Sequence, residues 1–286
     1  LVGGSAFRQI AREFGTSPQT LATHSARLGR HCLLFHEQAR PRGPLTEPVV
    51  LDTFVSFEYS QYHPTGYHLL VGKESHFFYG FTDSELRRSG RMTAHQKRKR
   101  ARLEARFGRP DPRSTEREVA ALLEIVLGDS EMVELHSDEH PDYPRAIARL
   151  RHVRVEHHTI SSRAARTTGN PLFPVNLLDL LIRHSGSNHG RETISFSKRR
   201  LSALLRLALL QVWRNWVKSF SERKRDASPA MRLGICDRRL KVPEILATRL
   251  FPTRAKLPER WERNYWGKVH TRMIPRGVEH RKVFAV

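Results

Sequence analysis

The chain is short of several things at once. It has two cysteines, Cys32 and Cys236, about 200 positions apart in 286 residues. They form neither a zinc-ligand spacing nor a disulfide framework, which points to a reducing interior. No run of about 18 apolar residues occurs, which excludes a membrane-spanning helix. No GxxxxGK[ST] loop is present, which argues against ATP-driven work. The sequence opens on Leu1 rather than Met, with no basic-then-apolar leader, and is expected to be a fragment without its true start. Acidic residues are scarce too: 29 Asp and Glu stand against 50 Lys and Arg, a formal charge of +21. With 38% hydrophobic and 8% aromatic residues the chain is not disordered, and its length suits one large domain or two smaller ones. The charge excess favours a polyanionic partner, because each phosphate neutralised releases condensed counterions.

The positive charge is uneven. Residues 84–113 carry 11 basic and 3 acidic residues, including Lys97, Arg98, Lys99 and Arg100, and residues 223–286 carry 17 and 6. Near the N-terminus, Phe7, Ile10, Ala11 and Phe14 recur at helical spacing. Gly15 then permits a left-handed turn, and Ser17 with Pro18 caps a second helix expected to reach about Leu28. This is helix-turn-helix patterning, with Gln19, Thr20, Thr23, His24 and Arg27 as the DNA-reading face; an ordinary helical hairpin is the alternative. Residues 41–48 are rich in proline and read as a linker between a 1–40 DNA-binding region and a domain spanning 49–225.

Strand patterns follow at 49–58, 67–71 and 75–81, then the basic stretch, a helix at 115–127, strands at 132–136 and 154–160, and a helix at 175–184. A long helix is expected from Glu192 to about Arg225, with Leu201, Leu204, Leu205, Ala208, Val212, Trp216 and Phe220 on one stripe. Such an order predicts an α/β domain whose sheet mixes antiparallel and parallel strands. Trp213 and Trp216 fit a core or subunit-contact role better than base stacking.

Carboxylates beside apolar neighbours are costly unless a cation or hydrogen-bond donors compensate them. Asp52 lies within the first strand, Asp138 just past the fourth, and Glu192 at the entry to the long helix. Three carboxylates from separate elements can supply hard oxygen ligands to Mg²⁺ or Mn²⁺. Glu192 can equally be a helix-start carboxylate favoured by the macrodipole. Glu58 is too far from Asp52 to share an ion, about 20 Å along an extended strand. Glu139 points away from Asp138, and Asp142 suits a turn before Pro144. His136, two residues before Asp138, falls on the same strand face and is a possible lining residue.

The order of helix-turn-helix, strand with Asp52, strand ending at Asp138 and basic helix headed by Glu192 resembles the DDE transposases of bacterial insertion sequences. His136-Ser137-Asp138-Glu139-His140-Pro141-Asp142-Tyr143 and Arg191-Glu192-Thr193-Ile194-Ser195-Phe196-Ser197-Lys198-Arg199-Arg200 carry most of the resemblance, which covers residues 5–225. It implies an RNase H-like mixed sheet flanked by helices, with Asp52, Asp138 and Glu192, separated by 86 and 54 residues, as a triad for two Mg²⁺ or Mn²⁺ ions. The implied activity is metal-dependent cleavage and strand transfer on double-stranded DNA, at transposon ends and target, by a homo-oligomer in a bacterial-type cytoplasm on the nucleoid. Lys198, Arg199 and Arg200 would hold phosphates beside the metals or form a solvated cationic face, and the 84–113 insertion would grip flanking or target DNA or form a flexible positive loop. The basic extension 226–286 has no assigned role. The competing readings are a non-catalytic DNA-binding derivative and an RNase H-like nuclease that cuts without joining.

Overall fold

The computed structural model describes residues 1–189 and 199–271. Two helices, α1 (Phe7–Glu13) and α2 (Pro18–Ala39), precede the strands β1 (Val49–Phe57), β2 (Pro64–Gly72) and β3 (Phe78–Glu85). Helices α3 (Ala94–Phe107) and α4 (Ser114–Leu127) lead to β4 (Met132–Ser137), α5 (Asp142–Ile147) and β5 (Arg154–Thr159). Then come α6 (Phe173–Ser185), α7 (Arg200–Val212) and three short helices, α8 (Pro229–Arg232), α9 (Val242–Ala247) and α10 (Glu259–Tyr265).

The strands form one mixed sheet in the order β3-β2-β1-β4-β5. The first three are an antiparallel meander, while β4 runs parallel to β1 and β5 parallel to β4. Helices flank this sheet, which is an RNase H-like arrangement. Strand β2 is buried along nearly its whole length, since it is central and covered on both faces. That explains its run Tyr67-His68-Leu69-Leu70-Val71, apolar on both faces except at His68. No helix among the described residues is long and apolar enough to cross a membrane.

Several elements depart from their sequence-based expectations. Helix α2 does not stop near Leu28 but continues to Ala39, because no breaker intervenes before Pro41. Its second half buries Cys32, Leu33, Leu34 and Phe35 in the same core as the sheet. It crosses α7 at Gly29, where a Cβ would lie 2.5 Å from the Leu205 carbonyl oxygen, so only glycine permits this approach. Gly15 does adopt the left-handed turn, with φ at 59°. Phe14, however, caps α1 pointing outward at 76% exposure, and Ala11 is the buried residue of that helix. Strand β3 starts at Phe78, because Ser75 and His76 are used in the hairpin turn, His76 with φ at 55°. The basic stretch is not a loop but contains α3, capped at Thr93 and buried nowhere along its length.

Helix α7 passes through a π-turn at Trp213–Val217 and ends there, well short of Arg225. Trp216 fills the core against Phe35, Phe77 and His36, and Phe220 lies beyond the helix under the Arg232 guanidinium. Residues 226–271 of the basic C-terminal segment pack as an integral layer. Trp261 of α10 is fully buried, donates its indole N–H to the Phe81 carbonyl at 2.9 Å, and sits against Gly80 of edge strand β3. The segment therefore covers the sheet edge that β3 would otherwise expose.

Candidate active site

Strands β1 and β4 lie side by side and parallel, with Leu51 opposite Ser137. One position further along stand Asp52 and Asp138, so the two carboxylates emerge next to each other where the β4 pairing ends. Parallel strands place such residues at a common carboxyl-end edge, which is where open α/β sheets build their sites. Burial pushes the Asp52 carboxyl above its usual range. The Thr53 N–H, 2.7 Å from Oδ1, opposes this shift; the Asp138 charge adds to it, and Arg166 and His140 pull against it. Asp138 Oδ1 accepts the His140 N–H at 3.0 Å, which ties the loop after β4 to the carboxylate. Ser137 is held below, its hydroxyl donating to the Asp138 carbonyl at 2.7 Å.

The other face of β1 braces this pair. Tyr143 of α5 is fully buried and its hydroxyl lies 2.9 Å from the Thr53 hydroxyl. That hydroxyl in turn meets His68 Nδ1 at 2.8 Å, and His68 Nε2 meets the Ser84 hydroxyl at 3.0 Å. Burial drives His68 down to about 3, so the ring is neutral at ordinary pH. Tyr143 is pushed up by burial and by the charges of Asp52, Asp138 and Asp179. Asp179, on α6, is the acidic neighbour that the sequence reading missed; its signal was a lone carboxylate within the apolar run Leu177-Leu178-Asp179-Leu180-Leu181.

Phe54 follows Asp52 by two and so shares its strand face. It packs on the ring of His189 at 5.2 Å and under the Arg183 guanidinium at 4.4 Å. His189 is buried and held down to about 3 by that burial. The chain thus reaches residue 189 on the Asp52 face of β1, three positions before Glu192. Glu192 and Lys198 lie outside the described residues. Among those that are described, no group of three or more His, Cys, Asp or Glu is arranged to hold a metal ion.

The remaining expected site residues separate into two groups. Gln19, Thr20, Thr23, His24 and Arg27 are all exposed on the first half of α2, and Lys97 and Arg98 are exposed on α3. Lys99 instead lies 4.9 Å over the Tyr62 ring, and Arg100 donates to the Arg88 carbonyl at 2.8 Å, so both point inward. Arg199 is half-buried. Arg200 is not a phosphate contact. Its guanidinium is buried against Asp83, reaches Glu85 at 3.0 Å, and its backbone N–H donates to Glu58 at 3.1 Å. Helical spacing from Glu192 could not reveal this, because the partners come from β1 and β3. His136 also leaves the site, its Nε2 lying 2.6 Å from Glu134 and 2.8 Å from Lys73 Nζ.

No family model matches this chain, and no curated protein does. Among solved structures it is similar to a chain of the cryo-EM structure of a simian T-cell lymphotropic virus intasome in complex with the PP2A regulatory subunit B56 gamma. The identity is 14% and the TM-score 0.29, with 75% of this chain and 64% of that one covered. A likeness that distant carries no argument about function. The site stands on its own geometry.

Proposed function

We propose that the protein is a transposase, which cuts and joins DNA strands at the ends of a mobile element through Asp52, Asp138 and Glu192. The observation that carries this reading is the placement of Asp52 and Asp138 on adjacent parallel strands of an RNase H-like sheet. The donor chemistry fits a hard divalent cation: two carboxylates meet at one edge, and burial and mutual repulsion penalise Asp52 as an anion. Asp52 and Asp138 would hold Mg²⁺ or Mn²⁺ together with Glu192, in a two-ion site. Such ions, when bound, stabilise the attacking and leaving oxygens of a phosphodiester displacement. The protein's part is positional. The Thr53 and His140 N–H groups aim the carboxylates, and Tyr143 with Thr53 and His68 stiffens the strand behind them.

The formal charge of +21 and the exposed face of α2 support duplex DNA as the partner. Bringing two element ends together calls for a homo-oligomer on DNA, working on the nucleoid of a bacterial-type cytoplasm. The test is Mg²⁺- or Mn²⁺-dependent nicking and joining of end-labelled element DNA, comparing the wild type with Asp138→Asn and Glu192→Gln. Joined products that need metal and all but vanish in both variants, with DNA binding unchanged, are the expected result. Cutting without joining would replace this reading with a nuclease. Binding with no chemistry would replace it with a non-catalytic DNA-binding protein.

A further inference from the structure

Helix α3 has two unlike faces. Its inward face is fixed to the hairpin between β1 and β2 and to the strand end beyond β3. Glu104 takes both arms of Arg87 at 2.8 and 3.0 Å, Arg100 reaches the Arg88 carbonyl, Lys99 covers Tyr62, and Phe107 packs edge-on against His63. Thr93 caps the start through the Gln96 N–H, and Gly108, with φ at 81°, ends it. The helix is therefore held firmly while burying no residue of its own.

The outward face is a different surface. At 100° per residue, Arg98 and Arg102 lie on one stripe with His95, opposite Arg100, Leu103 and Phe107. Small Ala101 and Ala105 flank them on one side and Arg106 on the other. Both Arg98 and Arg102 are exposed, and neither joins an ion pair or hydrogen bond described among these residues. From residue 91 to 109 there are eight Lys or Arg and one acid, Glu104, which Arg87 already neutralises.

We infer that this outward face of α3, centred on Arg98 and Arg102, is a second duplex-binding surface that grips DNA phosphates away from the carboxylates. It rests on the proposed function for the choice of DNA, while its geometry is independent of the acidic site. A helix about 10–12 Å across fits a major groove about 12 Å wide, and two arginines one turn apart, about 6 Å along the axis, meet the backbone at its edge. The supporting hairpin carries β1 about 20 Å beyond Asp52, which sets α3 apart from the carboxylate pair. Lys99 and Arg100, facing the body, contribute to docking the helix rather than to the grip.

The experiment uses the full chain in EDTA, with binding of a mixed-sequence duplex of about 30 base pairs followed by fluorescence anisotropy between about 50 and 200 mM salt. The double variant Arg98→Ala/Arg102→Ala is compared with a control removing two exposed charges elsewhere, Arg249→Ala/Lys256→Ala. The α3 variant should lose roughly tenfold in affinity at low salt, and its log–log salt slope should shrink by about 1.8, the value for two phosphate contacts. The control should keep most of the wild-type slope, and Arg98→Lys/Arg102→Lys should restore binding to the α3 variant. Equal losses in the α3 variant and the control would overturn the assignment, as would an equal loss of affinity for a single strand of the same sequence. Duplex binding through α3 without metal-dependent cleavage removes the transposase reading and leaves this surface standing. Cleavage with an unchanged salt slope does the reverse.

Discussion

Two acidic clusters sit on the same sheet and have opposite electrostatics. At one edge, Asp83 and Glu85 of β3, with Glu58 and Glu118, are met by Arg200, Arg260 and Arg263, and Thr271 donates to Glu58. Arg200 keeps its proton more firmly than a free arginine: desolvation is the largest single effect, but the Asp83 charge, the Asp83 hydrogen bond and the Glu85 charge together outweigh it. Further into the sheet, Asp52 and Asp138 stand side by side with one backbone N–H apiece, and among the described residues Arg166 and His140 are the positive influences on Asp52. Buried charges that are paired cost the fold dearly when one partner is removed. Half-buried carboxylates that repel each other are a common feature of sites where something else binds. The comparison marks the first cluster as structural, and the second is the one proposed for chemistry.

The largest effect expected from breaking that contrast is at the structural cluster. Arg200→Ala should destabilise the protein by about 3–5 kcal/mol, since it removes the main cation of buried Asp83 and leaves Arg263 at 3.3 Å and, for Glu85, the half-exposed His270 as the remaining partners. Urea titration checks it, and a loss below about 1 kcal/mol would mean the pairing is not the main support. Next comes the response to metal. Mg²⁺ at about a hundred times its dissociation constant should stabilise the wild type by about 2.7 kcal/mol in thermal unfolding, and the increment should largely disappear in Asp52→Asn. An equal rise in both proteins would remove Asp52 from the metal site.

The smallest effects concern protons. Asp52 has a raised carboxyl, so its contribution to metal-free stability is complete below the ordinary aspartate range and declines as pH rises through the folded value. Metal-free Asp52→Asn should therefore be as stable as the wild type at low pH and more stable than it near neutrality. The buried histidines work in the opposite sense. His36, His68 and His189 are each held near 3, so their contribution is complete above about 6.5 and falls as pH drops toward 3. Acid titration of His68→Gln should show a shallower loss of stability across that window than the wild type.

How much of this was legible beforehand follows from where each signal resides. The strands β1, β4 and β5 and the helices α4 and α6 declare themselves through period-2 and period-3.6 patterning, within a few residues of their ends. The candidate carboxylates Asp52 and Asp138 were legible for the same reason, as charges in or beside apolar runs. Asp179 was hidden, because one carboxylate on an amphipathic helix looks like a solvated face until the helix is packed. Arg200 was misplaced because a basic triplet reads as a surface, and only the approach of Asp83, more than a hundred residues away, turns it inward. The C-terminal segment looked like an appendage, since a basic stretch with short helices has no periodicity to advertise burial, yet Trp261 closes the sheet edge.

By itself the sequence determined the class of the fold, the polyanionic bias of the surface and the acidic residues worth suspecting. These depend on composition and local periodicity, which need no partner. The tertiary structure alone decided that Leu51 lies opposite Ser137, bringing Asp52 beside Asp138, and that Arg200 faces inward while Arg98 and Arg102 face out. Strand register and helix docking are settled by contacts between distant segments: local periodicity marks which face is buried but not which distant segment buries it.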